Sequence, residues 1–405
     1  MKIAFVTHFR PSQLERCLYP EDAIRAQGVV GRFNSPVANL VPELLRLGHH
    51  VSIVCAESGA CETVCFKGPG LEIYVVPHRD NMSISMWTVF RAERKKITAV
   101  LSEIQPDIVH GQWTHTGHSL AALDSGFPCV VTIHDAALTC AWFNKGRHPV
   151  NIFRQLLFLR DTFEVAKRAR YAIGVSPYTI NHFKKVFRFG GESFVVPNAL
   201  SFGCVPQKRR REFNTVCPIF IDVAAWGNIK NTKTLLKAFS VVLNEIPEAR
   251  LILHGNGLDE NGLGHQWARR HGLERNVDFR GYADRNTMNC SFVEADVFVH
   301  LAYYETFCMA MAEAIGAGLP VIIGDRGGAP WVVGDSSAAI KVNPVSVGKV
   351  VESMLKLVDN YEQIHESLPE LQTAMVERFA PARVADELID AYTHIMDENC
   401  RGLKK

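Results

Sequence analysis

Hydrophobic positions along the chain follow two alternating patterns. Short runs of β-branched and other apolar residues alternate with longer stretches in which apolar positions recur every three to four residues. The short runs predict strands at Ile3–Thr7, Val51–Cys55, Glu72–Val76, Ile108–His110, Cys129–Ile133 and Ala172–Val175. The longer stretches predict helices at Pro36–Leu47, Thr88–Ile104 and Ile152–Ala169. Continuous apolar strands separated by helices indicate a parallel sheet covered on both faces, which is an α/β architecture.

The pattern breaks once and then begins again. Pro197-Asn198 and the polar, basic stretch from Pro206 to Arg211 have no periodicity, which is typical of a linker. Further strands are predicted at Pro218–Ala224, Arg250–His254, Val277–Arg280, Val297–His300 and Pro320–Ile323. We therefore expect two doubly wound, Rossmann-like domains, residues 1–205 and 206–380, followed by a terminal helix within 381–405.

Composition excludes several classes of protein. The 405 residues carry 44 basic and 42 acidic side chains, so the net charge of +2 argues against nucleic acid as a partner. No apolar run is long enough to cross a bilayer. The five apolar residues after Lys2 are too few for a secretion signal, so a cytoplasmic protein is expected. The eleven cysteines form no C-x-x-C pair and are interpreted as reduced core thiols.

The charge is unevenly distributed between the two halves of the chain. Residues 1–207 contain 22 basic and 16 acidic side chains, whereas residues 208–405 contain 22 and 26. The basic first half favours an anionic or membrane-presented ligand there. Cys55, Cys61 and Cys65 are close in sequence, but no fourth ligand stands at zinc spacing, and no metal site is predicted.

The first strand-to-helix turn excludes a dinucleotide-binding fingerprint. It reads Thr7-His8-Phe9-Arg10-Pro11, with no glycine before Gly28. About 27 residues are predicted to separate the first strand from the next helix. A loop of that length at the carboxyl end of a strand is usually functional.

The strongest local signal runs from Glu305 to Pro320. It follows a predicted strand, so Thr306 is expected to cap a new helix whose free N–H groups suit a phosphate. Glu305 would precede that helix and Glu313 would lie about two turns inside it. Carboxylates at these two places suit the hydroxyl groups of a nucleotide sugar. Spacing alone leaves open that both are ordinary surface carboxylates.

Three further loops are predicted at the same edge of the second sheet. Gly327-Gly328 follows a strand and permits close approach of a ligand to the backbone. Ala224–Asn231 is a strand-to-helix turn that places Lys230 beside a helix N-terminus. His254–Gly257 is a third strand-end loop. Because all four loops end parallel strands, they should lie together.

With these motifs in order, the chain resembles the retaining glycosyltransferases of GT-B fold, family 4. In the second half the resemblance rests on Glu305 and Glu313, on Gly327-Gly328 and on the Lys230 turn. In the first half its motifs are Gly31-Arg32, Leu47–Val51, Thr132–Asp135, Val175-Ser176 and Val196–Asn198, and late in the chain Phe379–Val384 ahead of a helix to Tyr392. The implied fold is GT-B, with two Rossmann-like domains facing a central cleft and the terminal helix returning to the first domain.

The resemblance also implies roles for individual residues. Glu305, His134 and Lys230 would be catalytic, with Glu305 on the donor sugar, His134 near the transferred sugar and Lys230 on the diphosphate. The donor site would further comprise Gly31, Asn231, Gly255, Asn256, Thr306, Phe307, Cys308, Met309 and the ribose-binding Glu313. Arg10, His110 and Trp113 would lie on the acceptor side.

The reaction implied is transfer with retained anomeric configuration from a nucleotide-diphosphate sugar, UDP being the nucleotide most expected. The acceptor would be a glycan, glycolipid or small molecule. The leaving diphosphate would help to deprotonate the acceptor, so positioning and charge stabilisation would be the main contributions of the protein. No cofactor or metal is implied, and no D-x-D motif is present.

The chain departs from the family pattern at three places. Ala225 stands where an arginine usually precedes the lysine, so the phosphate clamp is either missing or supplied by another residue such as Arg326 or Lys233. Thr306 and Cys308 replace glycines, and Trp331 replaces a glutamate. Two alternatives therefore stay open: a nucleotide-sugar epimerase or hydrolase of the same fold, and a catalytically inactive sugar-nucleotide-binding homologue.

Several single residues have two interpretations. His110 either lines the acceptor site or is a hydrogen-bonded core histidine. His134 could pair with Asp135, although neighbours in a strand face opposite sides. Cys308 is either an activated nucleophile or a small residue at a helix start. The basic and aromatic segment His182–Phe189 either contacts a membrane at its inner face or is an ordinary surface helix.

Overall fold

The computed structural model describes residues 1–29, 31–57, 61–78, 82–144, 149–201 and 212–402. The chain divides into two units: Met1–Ala199 together with the residues from Pro381 onward, and Leu200–Ala380. The first unit is therefore built from both ends of the chain. The expected linker around Pro206 and Arg209–Arg211 lies outside the described residues.

The first unit contains an eight-stranded sheet. Its strands are β1 Lys2–Val6, β2 His50–Glu57, β3 Val64–Gly68, β4 Leu71–Pro77, β5 Ile108–Gln112, β6 Cys129–Ile133, β7 Tyr171–Gly174 and β8 Glu192–Val195. The spatial order is β3-β4-β2-β1-β5-β6-β7-β8. Every neighbouring pair is parallel except β3 and β4, so the predicted parallel sheet carries one antiparallel edge strand that the pattern did not reveal.

The second unit contains six parallel strands. They are β9 Ile219–Val223, β10 Arg250–His254, β11 Val277–Gly281, β12 Val297–His300, β13 Val321–Gly324 and β14 Ala339–Val342. The order is β11-β10-β9-β12-β13-β14. The chain moves outward from β9 on one side and then returns to its other side at β12. The carboxyl ends of β9 and β12 therefore flank the point where strand order reverses, which is where open α/β sheets bind ligands.

Helices follow most strands in both units. Those of the first unit are α1 Pro20–Gln27, α2 Ser35–Arg46, α3 Met82–Trp87, α4 Arg91–Ile104, α5 His118–Asp124, α6 Ala137–Asn144, α7 Pro149–Arg168, α8 Pro177–Phe187 and α17 Pro381–Gly402. Those of the second are α9 Thr232–Glu245, α10 Leu263–Arg270, α11 Arg285–Glu294, α12 Met309–Gly316, α13 Ala329–Val333, α14 Val347–Asp359, α15 Tyr361–Glu366 and α16 Leu368–Phe379.

Two local predictions are wrong. The long first loop is structured, because a 3-10 helix at Pro11–Cys17 and the helix α1 occupy most of it. Helix α4 begins at Arg91 instead of Thr88, since Val89 and Phe90 have positive φ angles of 55° and 53°. A helix cannot start through residues in the left-handed region.

The first unit's core includes side chains from both ends of the chain. Val384, Leu388 and Tyr392 of α17 lie in one buried cluster with Phe5 of β1 and Val41 of α2. The Tyr392 hydroxyl is 2.6 Å from Nδ1 of His110 in β5. The terminal helix is therefore an integral part of this unit.

Cysteine burial differs from the expectation of core thiols. The ten cysteines within the described ranges are all free, but only Cys55 and Cys308 are buried. None of the helices described has both the length and the apolar character needed to cross a bilayer.

Candidate active site

The loop between β12 and α12 presents the Glu305 motif. Helix α12 begins at Met309, and Cys308 occupies the N-cap position with φ 71° and no side-chain cap bond. The prediction that Thr306 caps the helix is therefore wrong, and Glu313 lies about one turn inside it instead of two. Residues 301–308 instead pass along the sheet edge before the helix starts.

A glycine fixes the backbone of Glu305. Gly327 forms an isolated parallel bridge with Glu305, and the N–H of Gly328 donates to the Glu305 carbonyl at 2.5 Å. Gly327 has φ +87°, and a Cβ there would be 2.3 Å from the same carbonyl oxygen. The two motifs predicted to converge therefore touch, and the contact requires glycine.

Four charged side chains form a chain across this edge, which we call the relay: Asp222, His300, Glu305 and Lys230. Nδ1 of His300 is 2.7 Å from Oδ1 of Asp222, and its Nε2 is 3.0 Å from Oε1 of Glu305. The Lys230 ammonium donates to that same Glu305 oxygen. Because β9 and β12 are neighbours, Asp222 and His300 meet inside the sheet, where both are at most 3% exposed.

Glu305, His300 and Lys230 are all charged at neutral pH. Burial alone would raise the pKa of Glu305, but Lys230 and His300 lower it to about 2. Burial would lower the pKa of His300, but Asp222 and Glu305 raise it to about 9. The pKa of Lys230 would likewise fall on burial, but Glu305 raises it to about 12. Each charge thus stabilises its neighbour, and the Lys230 side chain remains about one-third exposed.

His300, Glu305 and Cys308 also form a possible metal-ligand group. One ligand atom from each lies within 4.8 Å of the others. A cation there would compete with the Lys230 ammonium for Glu305, and His300 already bonds two carboxylates. The expected metal independence stays a prediction.

The thiol of Cys308 is not activated. Burial and the neighbouring Glu305 hold its pKa well above the ordinary value, so it stays protonated. A protonated thiol is a weak nucleophile. This residue therefore serves as the turn before α12, and the nucleophile hypothesis is not supported.

Other predicted donor-site residues contribute through the backbone. The Asn231 side chain is 4% exposed and donates to the carbonyls of Leu301 and Pro344 at 3.0 and 2.6 Å, so it holds the turn after Lys230. Phe307 is 1% exposed and packs edge-on against Phe379. Only the main chain of either residue can face a ligand.

The loop after β10 lies against the turn after β9. Gly255 has φ +137°, and a Cβ there would be 2.0 Å from the Ala224 carbonyl. The carbonyl of the exposed Asn256 accepts a hydrogen bond from the N–H of Trp226 at 2.8 Å. Ala225, between the two contact points, is exposed, so the missing arginine leaves an accessible position at this edge.

Both residues that were predicted to substitute for that arginine already have partners. The Lys233 ammonium lies over the rings of Trp226 and Trp267 at 5.5 and 5.6 Å. Arg326 contacts Asp325 and Asn343. Trp331, which replaces a glutamate, stacks with Arg378 at 4.8 Å.

Glu313 and Met309 are both partly buried on α12. Burial raises the pKa of Glu313 above its usual value, although Arg285 opposes the shift. Thr306 is also partly buried, in the loop before the helix. These three residues lie along the same segment as Glu305.

In the first unit, Gly31 lies against the end of the first strand. A Cβ at Gly31 would be 2.7 Å from the Phe9 carbonyl and 3.1 Å from the Arg10 Cα. The close approach of the Phe9–Arg10 backbone thus explains why position 31 is glycine, whether or not a phosphate binds there. The Arg10 guanidinium lies 5.2 Å from the centre of the Phe33 ring.

His134 and His110 belong to one hydrogen-bonded row. His134 Nε2 bonds the Gln112 side-chain oxygen, and the Gln112 amide lies 3.1 Å from Nε2 of His110. His110 is 3% exposed and also bonds Thr132 and Tyr392. Of its two interpretations, the structure therefore favours the hydrogen-bonded core histidine over a residue that lines the acceptor site.

Burial lowers the pKa of His134 to about 4, despite Asp135 nearby, so its ring is neutral at pH 7. Oδ2 of Asp135 lies 3.2 Å from Nδ1 of His115, so this carboxylate has a histidine partner other than His134. Trp113, with φ 69°, lies 4.6 Å from the His134 ring and fixes its plane.

Sequence reasoning missed Asp222 and His300. Asp222 is the acidic residue of the otherwise apolar strand Ile219–Val223, and this could have drawn attention to it. A carboxylate buried in a sheet normally has a partner. His300 ends β12 five residues before Glu305. The pairing itself required the strand order.

Two family profiles match the chain. "Glycosyl transferases group 1" matches residues 206–378, and "Glycosyltransferase Family 4" matches residues 36–201. Among solved structures, sucrose-phosphate synthase from Thermosynechococcus elongatus aligns with a TM-score of 0.76 at 15% identity, covering 98% of this chain and 100% of that chain. HepE from Anabaena, in complex with UDP and glucose, aligns with a TM-score of 0.67 at 14% identity, covering 97% and 100%.

The two Rossmann-like units therefore define a GT-B fold, the fold of one class of glycosyltransferases. Within that class, the matched profiles identify the chain as a family 4-like glycosyltransferase.

Curated relatives are distant. The chain is similar to one of the subunits of phosphatidylinositol N-acetylglucosaminyltransferase from Arabidopsis thaliana, 23% identical over 81% of this chain and 72% of the relative. It is also similar to poly(glycerol-phosphate) alpha-glucosyltransferase of Bacillus subtilis, 27% identical over 40% of this chain. The match spans only 23% of the length of that Bacillus protein.

Proposed function

We propose that the protein transfers a sugar, with retention of configuration and without a metal, from a nucleotide-diphosphate sugar to a hydroxyl acceptor. The observation that carries this proposal is the Lys230–Glu305 pair at the edge of the second sheet, beside the start of α12. It offers an exposed cation for a diphosphate next to a carboxylate for sugar hydroxyls. UDP is the proposed nucleotide, supported by the UDP complex of HepE.

Each relay residue has a defined part in this proposal. Lys230 would neutralise charge that develops on the leaving diphosphate, and the N-terminus of α12 would add its free N–H groups. Glu305 would accept hydrogen bonds from the donor sugar. Asp222 and His300 would hold the carboxylate ionised and in place as positioning residues. Glu313 would bind the ribose. His134 of the first unit, which is neutral at pH 7, stays a predicted catalytic residue.

A single substitution tests the proposal. We expect Glu305→Gln to lower transfer at least 100-fold, because the amide carries no charge and donates where the carboxylate accepts. The assay should first identify the donor by thermal shift with uridine, guanosine and adenosine diphosphates and their sugars. Ligand at 100 times Kd stabilises a protein by about 2.7 kcal/mol.

The matched control is Glu260→Gln, which neutralises an exposed carboxylate of the same unit. Undiminished transfer by a folded Glu305→Gln protein would refute the proposal. Release of free sugar or an epimer without any acceptor would identify a hydrolase or epimerase. Tight UDP binding with no transfer would identify an inactive homologue, an alternative favoured by Ala225 and Trp331.

We further propose that the protein works at an anionic membrane surface, through a face other than the one expected. Phe183, Phe187 and Phe189 of the expected segment are buried. In contrast, helices α3, α6 and α7 expose large apolar side chains, including Trp87 (63%), Trp142 (66%) and Leu156 (59%). Exposed tryptophans with flanking basic residues are typical of interfacial helices.

Charge favours a membrane over a second copy of the chain as the occupant of this face. Residues 137–191 contain ten lysines and arginines but two acidic residues. Two such surfaces would repel each other in a symmetric dimer, whereas anionic lipid attracts them.

The test is sedimentation with phosphatidylglycerol and phosphatidylcholine vesicles. We expect binding to the anionic vesicles only, lost in Trp142→Ser but kept in Val216→Ser, which changes a comparably exposed residue of the second unit. Equal sedimentation of both variants, or concentration-dependent dimerisation without vesicles, would contradict this proposal.

A further inference from the structure

A cavity in the first unit has no part in the site described so far. It has a volume of about 90 Å³ and is lined by polar side chains including His8, Arg32, Glu57, His78, Glu93 and His118. The residues come from the carboxyl ends of the adjacent strands β1, β2 and β4 and from the facing helices α4 and α5. None of the expected acceptor-side residues lines it.

Hydrogen-bonding atoms of this cavity are left without protein partners. Among the described residues, both ring nitrogens of His8, Oε1 of Glu57, Nε2 of His78 and Nε2 of His118 are buried and make no hydrogen bond. His118 is 2% exposed and Glu57 is 8% exposed. Buried polar groups normally have partners, because leaving one unpaired forfeits the hydrogen bonds that it makes to water in the unfolded chain. Such a concentration at one cavity indicates a ligand.

The unpaired atoms are held in fixed positions. Thr116 Oγ1 lies 2.7 Å from Nδ1 of His118, which leaves its Nε2 for the cavity. The rings of His8 and His118 meet edge to face at 4.3 Å. His78 Nδ1 lies 3.3 Å from Glu93, whose Oε1 also accepts from Ser85 at 2.8 Å. The cavity is therefore formed before a ligand arrives.

One gap within the cavity matches a hydroxyl group. Nδ1 of His8 and Oε1 of Glu57 are 3.7 Å apart, too far for a direct hydrogen bond. A hydroxyl group of a ligand, like a water molecule, can donate to the carboxylate and accept from the histidine at the same time.

The charges of the wall exclude strongly charged ligands. Burial, and secondarily Arg32, lowers the pKa of His8 to about 3, and burial holds the pKa of His118 well below its usual value, so both rings are neutral. Burial raises the pKa of Glu57, whereas at Glu93 hydrogen bonds from His78 and Ser85 outweigh burial and lower the pKa to about 2. The Arg32 guanidinium therefore shares the wall with one firmly ionised carboxylate. A phosphate would meet that carboxylate, and an ammonium would meet the guanidinium.

We propose that this cavity binds an uncharged polyhydroxyl ring, a sugar or a cyclitol, as a subsite for the acceptor. Its volume of about 90 Å³ corresponds to about three water molecules at ~30 Å³ each, which suits the hydroxyl-bearing edge of one such ring. Phe90 and Ile97 provide apolar wall for the ring's C–H face. The assignment as acceptor rests on the proposed transferase function, but the binding itself does not.

The experiment measures binding of simple probes to the full chain by ligand-observed NMR. The probes are methyl α-D-glucopyranoside, myo-inositol, inorganic phosphate and ethylamine. We expect one of the two neutral polyols to bind and the two ions not to bind. The preferred polyol then distinguishes a sugar subsite from a cyclitol subsite.

Two variants locate the binding. Glu57→Gln and His118→Phe should weaken polyol binding at least 10-fold, whereas Glu103→Gln, an exposed carboxylate on the same helix as Glu93, should not. If His118→Phe does not fold, His78→Gln replaces it. UDP binding, measured by thermal shift on the same samples, should be unchanged in all variants.

Several results would overturn the inference. They are binding of phosphate in preference to both polyols, unchanged polyol affinity in the cavity variants, and no polyol binding, which would mean that only water fills the cavity. If polyols bind but UDP does not, the transferase proposal fails and the polyol site stands. If UDP binds but polyols do not, the polyol site fails and the transferase proposal stands.

Discussion

The carboxyl edges of the two sheets differ in how their buried ionisable side chains are paired. At the edge of the second sheet, the relay pairs each buried charge with an opposite one, from Asp222 through His300 and Glu305 to Lys230. At the edge of the first sheet, His8 and His118 are neutral, and several nitrogens of the cavity histidines lack partners. In the relay each side chain bonds another member, and one buried atom, Oδ2 of Asp222, has no hydrogen bond, whereas the cavity leaves several histidine nitrogens without one. The two edges should therefore respond in opposite ways to the same substitutions.

The largest difference in stability is expected from replacing one buried carboxyl group at each edge by an amide. Asp222→Asn should lower the free energy of unfolding by about 3 kcal/mol or more, because it leaves the charge of His300 underpaired. Glu57→Gln should change it by less than about 1 kcal/mol, since burial already raises the pKa of Glu57 and disfavours its charged form. Calorimetric unfolding of both variants measures the difference. Equal losses would show that the cavity carboxylate is as firmly paired as the relay.

The pH dependence of stability should also have opposite signs. The raised pKa of His300, about 9 against an ordinary 6.5, stabilises the fold below pH 6.5 by about 3 kcal/mol, and this is lost as the pH rises through 9. The lowered pKa values of His8 and His110, about 3, and of His134, about 4, cost stability as the pH falls from 6.5 toward those values.

Comparing wild type with His300→Gln from pH 5 to 10 isolates the relay's part. The variant's deficit in unfolding free energy should shrink across pH 6.5–9. A deficit that stays constant over that range would mean that His300 is neutral in the folded protein.

A smaller loss of stability is expected from substituting Gly327, the glycine that contacts the Glu305 backbone. Gly327→Ala should lower stability by about 2 kcal/mol and slow transfer, because its Cβ would press on the Glu305 carbonyl at a positive φ angle. Gly348→Ala is the control, since nothing lies within 4 Å of its Cβ and its φ is not positive. Equal stability of the two variants would contradict the proposed close contact.

The smallest effect concerns the missing arginine. Ala225 is exposed beside the Lys230 turn, so Ala225→Arg should tighten UDP binding about fivefold, or about 1 kcal/mol, by adding a second cation for the diphosphate. Ala225→Gln has similar length without charge and should leave affinity unchanged. Titration calorimetry with UDP separates the two outcomes. Weaker binding in the arginine variant would place the diphosphate elsewhere.

Sequence patterns predicted most of the sheet framework and part of the site. Strands Cys129–Ile133, Arg250–His254 and Val297–His300 have the predicted bounds, because continuous apolar runs must be buried in parallel sheets. The edge strand Val64–Gly68 escaped prediction, since it is short, half-exposed and antiparallel. Glu305, Lys230 and Gly327 could be found from motifs that follow strands.

The partners of those residues could not be found in this way. Asp222 and His300 are 78 positions apart, and only the return of the chain to the other side of β9 makes their strands neighbours. The same is true of the cavity, which collects one residue from each of several strand ends. Local periodicity contains no information on strand order, so pairings of this kind require the structure.

The last helix has a consequence for the order in which the protein can form. His110 and Tyr392 are bonded across 282 positions, and Val384 and Leu388 complete a core begun by Phe5. During synthesis the first unit must wait, with part of its apolar surface uncovered, until α17 has left the ribosome. The second unit is one continuous stretch and can fold earlier. Truncation within α17 should therefore expose the first-made half of the chain to aggregation while sparing the later-made unit.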